Sequence, residues 1–289
     1  MYGIAGRTWV ALGDPVGPEE EMAELVWKFR ELCDRHDGRT VFSEVGKEHL
    51  PFYLDLGLTL VQIGEEARVP LDAFDLEGGS RKGFRHTLSK LEKEGCAFEV
   101  VLPGGVPILL SEFKGISNAW LALKNTREKG FSLGYFDGEY LKQFPAGIVR
   151  KNGKMVAFLN LWLGAGKEEL SLDLMRYNPE APEGVMDYLF LKVMLWGKRE
   201  GYRWFNLGMV PLSGLEKRPL APLWTRLGTF IYHHGENFYN FQGLRQYKEK
   251  FDPVWKPKYL ALPGGLSLPW ILTDLVTLSS RGLKGIIAK

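Results

Sequence analysis

The charged residues best suited to chemistry are Asp173 and Arg176, which lie three positions apart inside the otherwise apolar segment LSLDLMRY. A buried carboxylate is costly without a partner, so Asp173 must be paired or face a cleft, where it is a candidate acid–base group. In a strand the two side chains point to opposite faces unless the strand ends or bulges between them. A structural ion pair is the alternative interpretation.

A second pair, Lys250 and Asp252, follows a predicted helix over residues 237–249. Apolar side chains recur at helical spacing along this helix. Three cations are predicted off its apolar face: Arg245, Lys248 and Lys250. Pro253 stops the helix, and this arrangement can hold opposite charges at the rim of a cleft. The alternative is a solvated helix face followed by an aromatic loop that packs in the core.

The elements that must position these residues are those of a mixed α/β fold. Residues 8–12 and 40–45 are predicted strands with a helix between them. The segments TLVQI and ARVPL predict a hairpin that turns across residues 64–66. A basic amphipathic helix follows over residues 80–94, and Ser80 is its predicted cap.

A short repeat indicates that this organisation occurs twice. Asp-Pro at 14–15 and Asn-Pro at 178–179 each follow a predicted strand, and each precedes a Pro-Glu that begins a helix. The sequence therefore predicts two similar halves, over residues 1–130 and 131–268, with the active site in the second. An amphipathic helix is predicted over 269–289, either lying on an anionic membrane surface or docked on the domain.

Composition and charge bound the function only loosely. The chain has 289 residues, 45% hydrophobic content and a formal net charge of +2. These values fit one large or two ordinary globular domains and are neutral on whether nucleic acid is a partner. Cys33 and Cys96 lie on separate elements, so we expect reduced thiols. No run of 18 or more apolar residues and no signal peptide occur, so a soluble chain is expected.

The sequence contains no recognisable covalent nucleophile, metal centre or cofactor motif. The pattern GxSxG is absent, and neither cysteine has an evident His/Asp setting. His233 and His234 lack a third ligand at a useful spacing, so no metal is expected. A glycine-rich pyrophosphate loop that opens a helix is also absent, which argues against an acyl-coenzyme A transferase. We therefore expect a reaction without a cofactor.

More specific information comes from four motifs that occur in this order: MYGIAGRTWVALGDPVGP (1–18), SLDLMRYNPEAPEGVMDYLF (171–190), FNLGMVPLSGL (205–215) and FYNFQGLRQYKEKFDPVWKPKYLA (238–261). With them the chain closely resembles, over nearly its whole length, the cytoplasmic catalytic domain of aminoacyl-phosphatidylglycerol synthases, also called multiple peptide resistance factors. Family members usually carry many membrane helices ahead of this domain. The resemblance thus implies an N-terminally truncated chain of two tandem GNAT-like folds.

The reaction that this resemblance implies moves an aminoacyl group, lysyl or alanyl, from aminoacyl-tRNA to the glycerol hydroxyl of phosphatidylglycerol. The product lowers the negative charge of the membrane and confers resistance to cationic antimicrobial peptides. The resemblance also implies a domain at the cytoplasmic face of the membrane, attached to an upstream membrane-integral region. Because the donor ester is already activated, the enzyme mainly aligns hydroxyl and carbonyl and stabilises the oxyanion.

Site residues are carried over from the family position by position. The implied catalytic residues are Asp173, Arg176, Lys250 and Asp252. The implied substrate-binding residues are Asn206, Gly208, Ser213 and Arg245. We expect Asp173 to orient or deprotonate the acceptor hydroxyl or to hold the substrate α-amine. Lys250 or Arg176 would bind a phosphate of lipid or tRNA, with Asp252 positioning that cation.

Contacts to tRNA phosphates are expected from the basic helix, at Arg81, Lys82, Arg85 and Lys90. A solvated helix face is the alternative there, and the segment over 207–215 can be only a turn.

Two other functions stay open at this point. A peptidoglycan-building transferase shares the tandem fold and the aminoacyl-tRNA donor, but would be expected to lack the FYNFQGLRxxKEKFDP pattern. A non-catalytic module that binds tRNA or lipid is the other. The sequence decides neither lysine against alanine nor the oligomeric state.

Overall fold

The computed structural model describes the chain in three stretches: residues 1–132, 134–215 and 241–280. They form two compact units. Unit 1 contains the described residues of 1–67 and 208–280, and unit 2 contains those of 68–207. These units do not follow the predicted boundaries at 130 and 268, because a strand late in the chain pairs with one near the N-terminus. The division into two repeated halves stays a prediction.

The described residues form ten strands: β1 (Tyr2–Ala5), β2 (Thr8–Leu12), β3 (Arg39–Gly46), β4 (Thr59–Pro70), β5 (Cys96–Val101), β6 (Ala146–Lys151), β7 (Lys154–Leu163), β8 (Glu169–Tyr177), β9 (Trp204–Pro211) and β10 (Val254–Leu262). They also form eight α-helices: α1 (Glu19–Arg35), α2 (Leu50–Asp55), α3 (Lys82–Lys93), α4 (Val106–Leu123), α5 (Gly138–Leu141), α6 (Val185–Glu200), α7 (Phe241–Glu249) and α8 (Leu268–Ser279). The strand order is β1-β2-β3-β10-β4-β9 in unit 1 and β9-β8-β7-β6-β5 in unit 2. Both β4 and β9 contribute residues to each unit.

Each unit contains one strand–helix–strand element with parallel strands, in agreement with the short repeat in the sequence. In unit 1, β2 runs parallel to β3, and α1 joins them. In unit 2, β8 runs parallel to β9, and α6 joins them. Neighbouring parallel strands need a long crossover connection, usually a helix, because a tight turn joins only antiparallel strands.

The basic helix α3 is confirmed, although its start differs from the prediction. Phe84, Leu88 and Leu91 are buried, as their spacing predicts. Ser80 is not the cap, because the helix begins at Lys82 with Arg81 at the cap position and no capping side-chain hydrogen bond.

The predicted hairpin across residues 64–66 is wrong, because β4 is one continuous strand, Thr59–Pro70. Gly64 is required there for close packing rather than for a turn. A Cβ atom at this position would lie 2.4 Å from the carbonyl oxygen of Val210 on β9. Only glycine therefore lets the two backbones approach this closely.

Gly64→Ala is expected to lower the free energy of unfolding by about 2 kcal/mol, because the added methyl group overlaps the Val210 carbonyl and forces the strands apart. Gly83→Ala is the matched control. Gly83 lies in α3 with open space around its Cβ position, and alanine stabilises a helix by up to about 1 kcal/mol relative to glycine. Urea unfolding measures both variants, and equal stabilities would contradict the prediction.

Helix α8 docks on unit 1, which is one of the two placements predicted for the C-terminal helix. Ile271 is fully buried, and the Asp274 carboxylate accepts a hydrogen bond from the Thr8 hydroxyl at 2.6 Å. Residues 281–289 lie outside the described part of the chain. Among the described residues, none of the helices has both the length and the apolar character needed to cross a membrane.

Candidate active site

A β-bulge in β8 sets the position of Asp173. The pairing of β7 with β8 shifts register, so that Asp173 and Leu174 stand opposite the single residue Asn160. The Asn160 side chain accepts a hydrogen bond from the Leu174 amide at 2.7 Å, which holds the bulge. Bulges re-aim side chains and are common beside active sites. The strand thus bulges between Asp173 and Arg176, so strand alternation does not force their side chains to opposite faces of the sheet.

Asp173 is the last member of a short chain of hydrogen bonds. The Trp162 indole donates to the Tyr140 hydroxyl at 2.7 Å, and that hydroxyl donates to Oδ2 of Asp173 at 3.1 Å. Burial raises the pKa of Asp173, while the hydrogen bond from Tyr140 and the charge of Arg176 oppose the shift. Burial and the Asp173 charge raise the pKa of Tyr140 in turn, so the phenol keeps its proton. An oriented carboxylate with raised proton affinity has the properties of a general base.

Gly134 forms part of the wall beside Asp173. A Cβ atom at Gly134 would lie 2.6 Å from the carbonyl oxygen of Asp173 and 2.7 Å from its Oδ1 atom. A larger residue would therefore displace the carboxylate. Tyr140 is held from the same side, because the Asp137 side chain caps α5 by accepting from the Tyr140 amide at 3.0 Å.

Arg176 is held by partners within unit 2. It is 8% exposed, its Nη2 atom pairs with the Glu128 carboxylate at 3.1 Å, and its guanidinium lies over Trp120, 4.1 Å from the ring centre. The Ser117 hydroxyl lies 3.2 Å from the same Glu128 carboxylate. A cation that is paired and stacked in this way keeps its charge when buried. Arg176 therefore acts on Asp173 through its charge, while its own carboxylate partner is Glu128.

The parallel pairing of β8 with β9 extends as far as Ser171 and Asn206, and Asp173 lies two residues beyond it. In open α/β sheets, ligands bind outside the carboxyl ends of parallel strands, so Asp173 lies where a substrate is expected. Asn206 is engaged differently. Its side chain donates to Glu169 at 2.9 Å, and Glu169 also pairs with Arg68 at 2.6 Å.

Glu65 is the centre of a polar cluster in unit 1. Its carboxylate pairs with Arg245 and lies 3.1 Å from the Ser213 hydroxyl. The Arg245 guanidinium also lies over Trp255, 4.2 Å from the ring centre. Two predicted substrate-binding residues, Ser213 and Arg245, are thus brought together by a carboxylate on β4. An open surface depression is lined by Arg245, Gln246, Glu249 and Lys250.

Lys248 contradicts the prediction that it lies off the apolar face of its helix, because it is only 6% exposed. Its Nζ atom donates to the carbonyl oxygens of Gly208 and Met209, at 3.0 and 3.1 Å. Gly208 has a φ of 80°, and the two carbonyls converge on one donor. Burial lowers the pKa of Lys248 to about 8, and the charges of Glu66 and Glu44 oppose this shift. The two backbone carbonyls that accept from one donor are the physical reason for the inward lysine.

Glu44 occupies a second β-bulge, where the pairing of β3 with β10 shifts register. Its φ of 63° is a left-handed value that is uncommon for glutamate. Burial raises the pKa of Glu44 to about 7, against the charges of Lys258 and Lys248, and the charge of Glu66 adds to the rise. Glu66 in turn pairs with Lys258 at 3.4 Å. Two acids and two lysines therefore form a charge cluster between β3, β4, β10 and α7.

The Glu44 carboxyl is expected to make stability depend on pH between about 4.5 and 7. Its pKa rises from 4.5 to about 7 on folding, so in this window the folded chain binds more protons than the unfolded chain. The free energy of unfolding therefore falls as the pH rises. Glu44→Gln removes this titrating group. Between about pH 5 and pH 8, the free energy of unfolding of the variant should therefore fall by about 2 kcal/mol less than that of the wild type.

Urea unfolding at these two pH values measures the effect. Glu20→Gln, in the exposed first turn of α1, is the control and should follow the wild type. An equal loss of stability in the wild type and in Glu44→Gln would refute the assignment.

Lys250 and Asp252 follow α7 immediately, as predicted. Both are exposed, and the Lys250 ammonium lies over the Tyr247 ring, 3.9 Å from its centre. Asp252 has a φ of 49°. The four predicted catalytic residues thus fall into two groups, with Asp173 and Arg176 in unit 2 and Lys250 and Asp252 in unit 1.

The four predicted tRNA contacts lie on or beside α3 in different surroundings. Lys82 and Lys90 are exposed. Arg85 donates to the Gly78 carbonyl at 2.8 Å, and Arg81 lies over two phenylalanine rings. The two lysines are therefore better placed for phosphate than the two arginines, and a tRNA role for all four stays a prediction.

Sequence reasoning missed Tyr140, Trp162 and Glu65, and it placed Lys248 on the wrong face of its helix. A signal existed for Lys248, because it follows Phe241 at i+7 and so falls on the apolar stripe of its helix. None existed for the others, whose partners are far away in sequence. Within the described residues, no group of His, Cys, Asp and Glu is arranged to hold a metal ion. His233 and His234 lie outside that part of the chain.

Residues 1–262 match the family described as "Phosphatidylglycerol lysyltransferase, C-terminal". Among curated relatives, the phosphatidylglycerol lysyltransferase of Bacillus subtilis (strain 168) is 36% identical over 97% of this chain and 33% of its own length. That of Staphylococcus aureus (strain MRSA252) is 35% identical over 90% of this chain and 31% of its own length. The chain thus spans about a third of the length of these relatives.

Two solved structures are similar in both fold and sequence. The C-terminal domain of a putative lysylphosphatidylglycerol synthetase from Agrobacterium fabrum has a TM-score of 0.87 and 42% identity, over 99% of this chain and 87% of that one. L-PGS from Bacillus licheniformis has a TM-score of 0.83 and 36% identity, over 96% of this chain and 84% of that one. FemX shares the fold alone. It is 10% identical, with a TM-score of 0.58 over 94% of this chain and 85% of that one. The predicted mixed α/β, GNAT-like fold is confirmed.

Proposed function

Because the chain belongs to the family of phosphatidylglycerol lysyltransferase C-terminal domains, we propose that it transfers an aminoacyl group, lysyl or alanyl, from aminoacyl-tRNA to the glycerol headgroup of phosphatidylglycerol. Lysyl is the first donor to test, since the relatives carry it in their names. The observation that carries the proposal is the carboxylate of Asp173, oriented by Tyr140 beside the buried charge of Arg176. In a longer protein this domain would work at the cytoplasmic face of the membrane.

In the proposed reaction a glycerol hydroxyl attacks the carbonyl carbon of the aminoacyl ester. A new ester bond forms to the lipid, and the bond to the ribose oxygen of the tRNA breaks. Asp173 takes the proton of the attacking hydroxyl and returns it to the departing ribose oxygen, so no net proton is consumed. Tyr140 donates a hydrogen bond to Oδ2 of Asp173, so Oδ1, which lies beside Gly134, would be the oxygen that takes the proton.

The two remaining cations take different tasks. Arg176 is buried and paired with Glu128, so it supports the site by charge rather than by binding a mobile phosphate. Lys250 is exposed beside the depression on α7 and suits the phosphate of the lipid or the tRNA. Asp252 positions this cation. Ser213 and Arg245, joined through Glu65, contact the substrate from the same unit.

A peptidoglycan-building activity receives less support. FemX resembles this chain in fold alone, at 10% identity, whereas the relatives at 35–36% identity are phosphatidylglycerol lysyltransferases. A non-catalytic module is the alternative that an activity assay must distinguish.

The test incubates the chain with phosphatidylglycerol in mixed micelles and with tRNA charged with labelled lysine or alanine. Label is expected in the lipid phase from lysyl-tRNA. Phosphatidylcholine, which lacks the glycerol hydroxyls, is the acceptor control and should take up none. A folded chain that labels no lipid from either tRNA, yet binds tRNA, would be a binding module, and the proposal would fail.

A further inference from the structure

Helix α8 has one charged residue, and that residue faces the protein. Asp274 accepts the hydrogen bond from the Thr8 hydroxyl at 2.6 Å. A Cβ atom at Gly6 would lie 3.3 Å from the same carboxylate. Together with the fully buried Ile271, these contacts fix which side of α8 packs on β1 and β2.

The outward side of α8 is therefore uncharged. Trp270 is 65% exposed and Val276 is 50% exposed, and Pro269 and Thr273 are exposed between them on the helix. A surface helix of a soluble protein usually turns charged residues to solvent opposite its apolar stripe. This helix instead turns its only charge inward and presents a tryptophan outward. Two large apolar side chains exposed on an uncharged helix face are the kind of surface that a docking partner covers.

The sequence that follows α8 carries positive charge, which is complementary to an anionic surface. Residues 281–289 read RGLKGIIAK, with three cations and no acid. A helix that exposes tryptophan and aliphatic side chains and is followed by Lys and Arg matches the composition of segments that lie in the interface of anionic membranes.

We propose that the outward face of α8 docks on an anionic lipid surface, with Trp270 and Val276 entering the headgroup region. This inference rests on the proposed function, because it places the chain on the surface that contains its phosphatidylglycerol acceptor. Docking raises the local concentration of the acceptor, so α8 governs access to membrane-embedded lipid rather than the transfer step itself.

The experiment uses the full chain and sediments it with vesicles of phosphatidylglycerol and phosphatidylcholine, or of phosphatidylcholine alone. Trp270→Ala combined with Val276→Asn is expected to reduce partitioning onto the anionic vesicles about tenfold. Trp27→Ala is the matched control, since Trp27 is 48% exposed on α1, and it should partition like the wild type. Replacing Arg281, Lys284 and Lys289 with glutamine should weaken the dependence on salt.

A second arm separates docking from the transfer step. With a short-chain, monomeric phosphatidylglycerol, the α8 double variant should transfer as fast as the wild type, and with vesicles it should be slower. Equal partitioning of the double variant and the wild type would overturn the inference, as would a wild-type dimer in solution that the double variant abolishes. If the wild type aminoacylates neither the short-chain phosphatidylglycerol nor the vesicles, the proposed function is refuted. The partitioning data would still show whether α8 docks on anionic vesicles.

Discussion

Lys248→Met is expected to lower the free energy of unfolding by about 3 kcal/mol, although methionine matches lysine in length and suits a buried site. Lys248 is the donor for the carbonyls of Gly208 and Met209 and the nearby positive charge for Glu44 and Glu66. Removing one member of a buried charge cluster leaves the others uncompensated, at a cost of about 3–5 kcal/mol when burial is complete. Hydrogen bonds from a charged donor add about 1.5–3 kcal/mol each, which the relief of lysine desolvation offsets in part.

Lys250→Met is the matched control, two residues away and exposed over the Tyr247 ring. An exposed contact between a cation and a ring contributes about 0.5–1 kcal/mol, so this variant should unfold almost like the wild type. Lys248→Arg, which keeps the charge, should recover part of the loss. Urea unfolding of the three variants checks the order, and a Lys248→Met protein as stable as Lys250→Met would show that the cluster does not hold the end of β9.

Asp173→Asn is expected to reduce kcat about 10²–10⁴-fold with a small change in the KM for phosphatidylglycerol. Asparagine keeps the size of the side chain and can still contact Tyr140, but it cannot accept the proton of the attacking hydroxyl. The Asn160 bulge and Gly134 should therefore stay in place. Steady-state kinetics at saturating aminoacyl-tRNA measure the two parameters separately.

Tyr140→Phe gives the corresponding test of orientation. The Tyr140 hydrogen bond opposes the rise in the pKa of Asp173, so its loss should move the acidic limb of the pH–rate profile to higher pH. Glu139→Gln, on the same short helix with a side chain 84% exposed, should leave the profile unchanged. A Tyr140→Phe profile that coincides with the wild type would show that the hydroxyl does not act on Asp173.

Much of the fold could be predicted from the sequence because local signals agreed with it. The strands predicted at residues 8–12 and 40–45 form β2 and β3 with α1 between them, and the apolar stripe of α3 gave its buried face. The β4 hairpin failed because glycine followed by two glutamates is typical of a turn. In the structure Gly64 is required for close approach to Val210, and Glu65 pairs with a cation 180 positions away.

The candidate site was less accessible to sequence reasoning. The family resemblance supplied Asp173 and Arg176, but strand alternation alone places them on opposite faces. Two β-bulges, at Asp173 and at Glu44, decide which way the carboxylates point, and a bulge depends on register with a neighbouring strand rather than on local composition. Tyr140 lies on α5, 33 positions before Asp173, and meets it only in the folded chain, while Trp162 reaches Asp173 through Tyr140.

The most direct test of Asp173 as the base of the transfer is a single-turnover assay of lysine transfer from lysyl-tRNA to phosphatidylglycerol, in which the wild type, Asp173→Asn and Glu139→Gln are measured side by side. We predict that the wild type and Glu139→Gln label the lipid at the same rate. Asp173→Asn should be slower by about 10²-fold or more while binding lysyl-tRNA and unfolding as the wild type does. A folded Asp173→Asn protein that labels phosphatidylglycerol at the wild-type rate would contradict the assignment of this carboxylate as the base of the transfer.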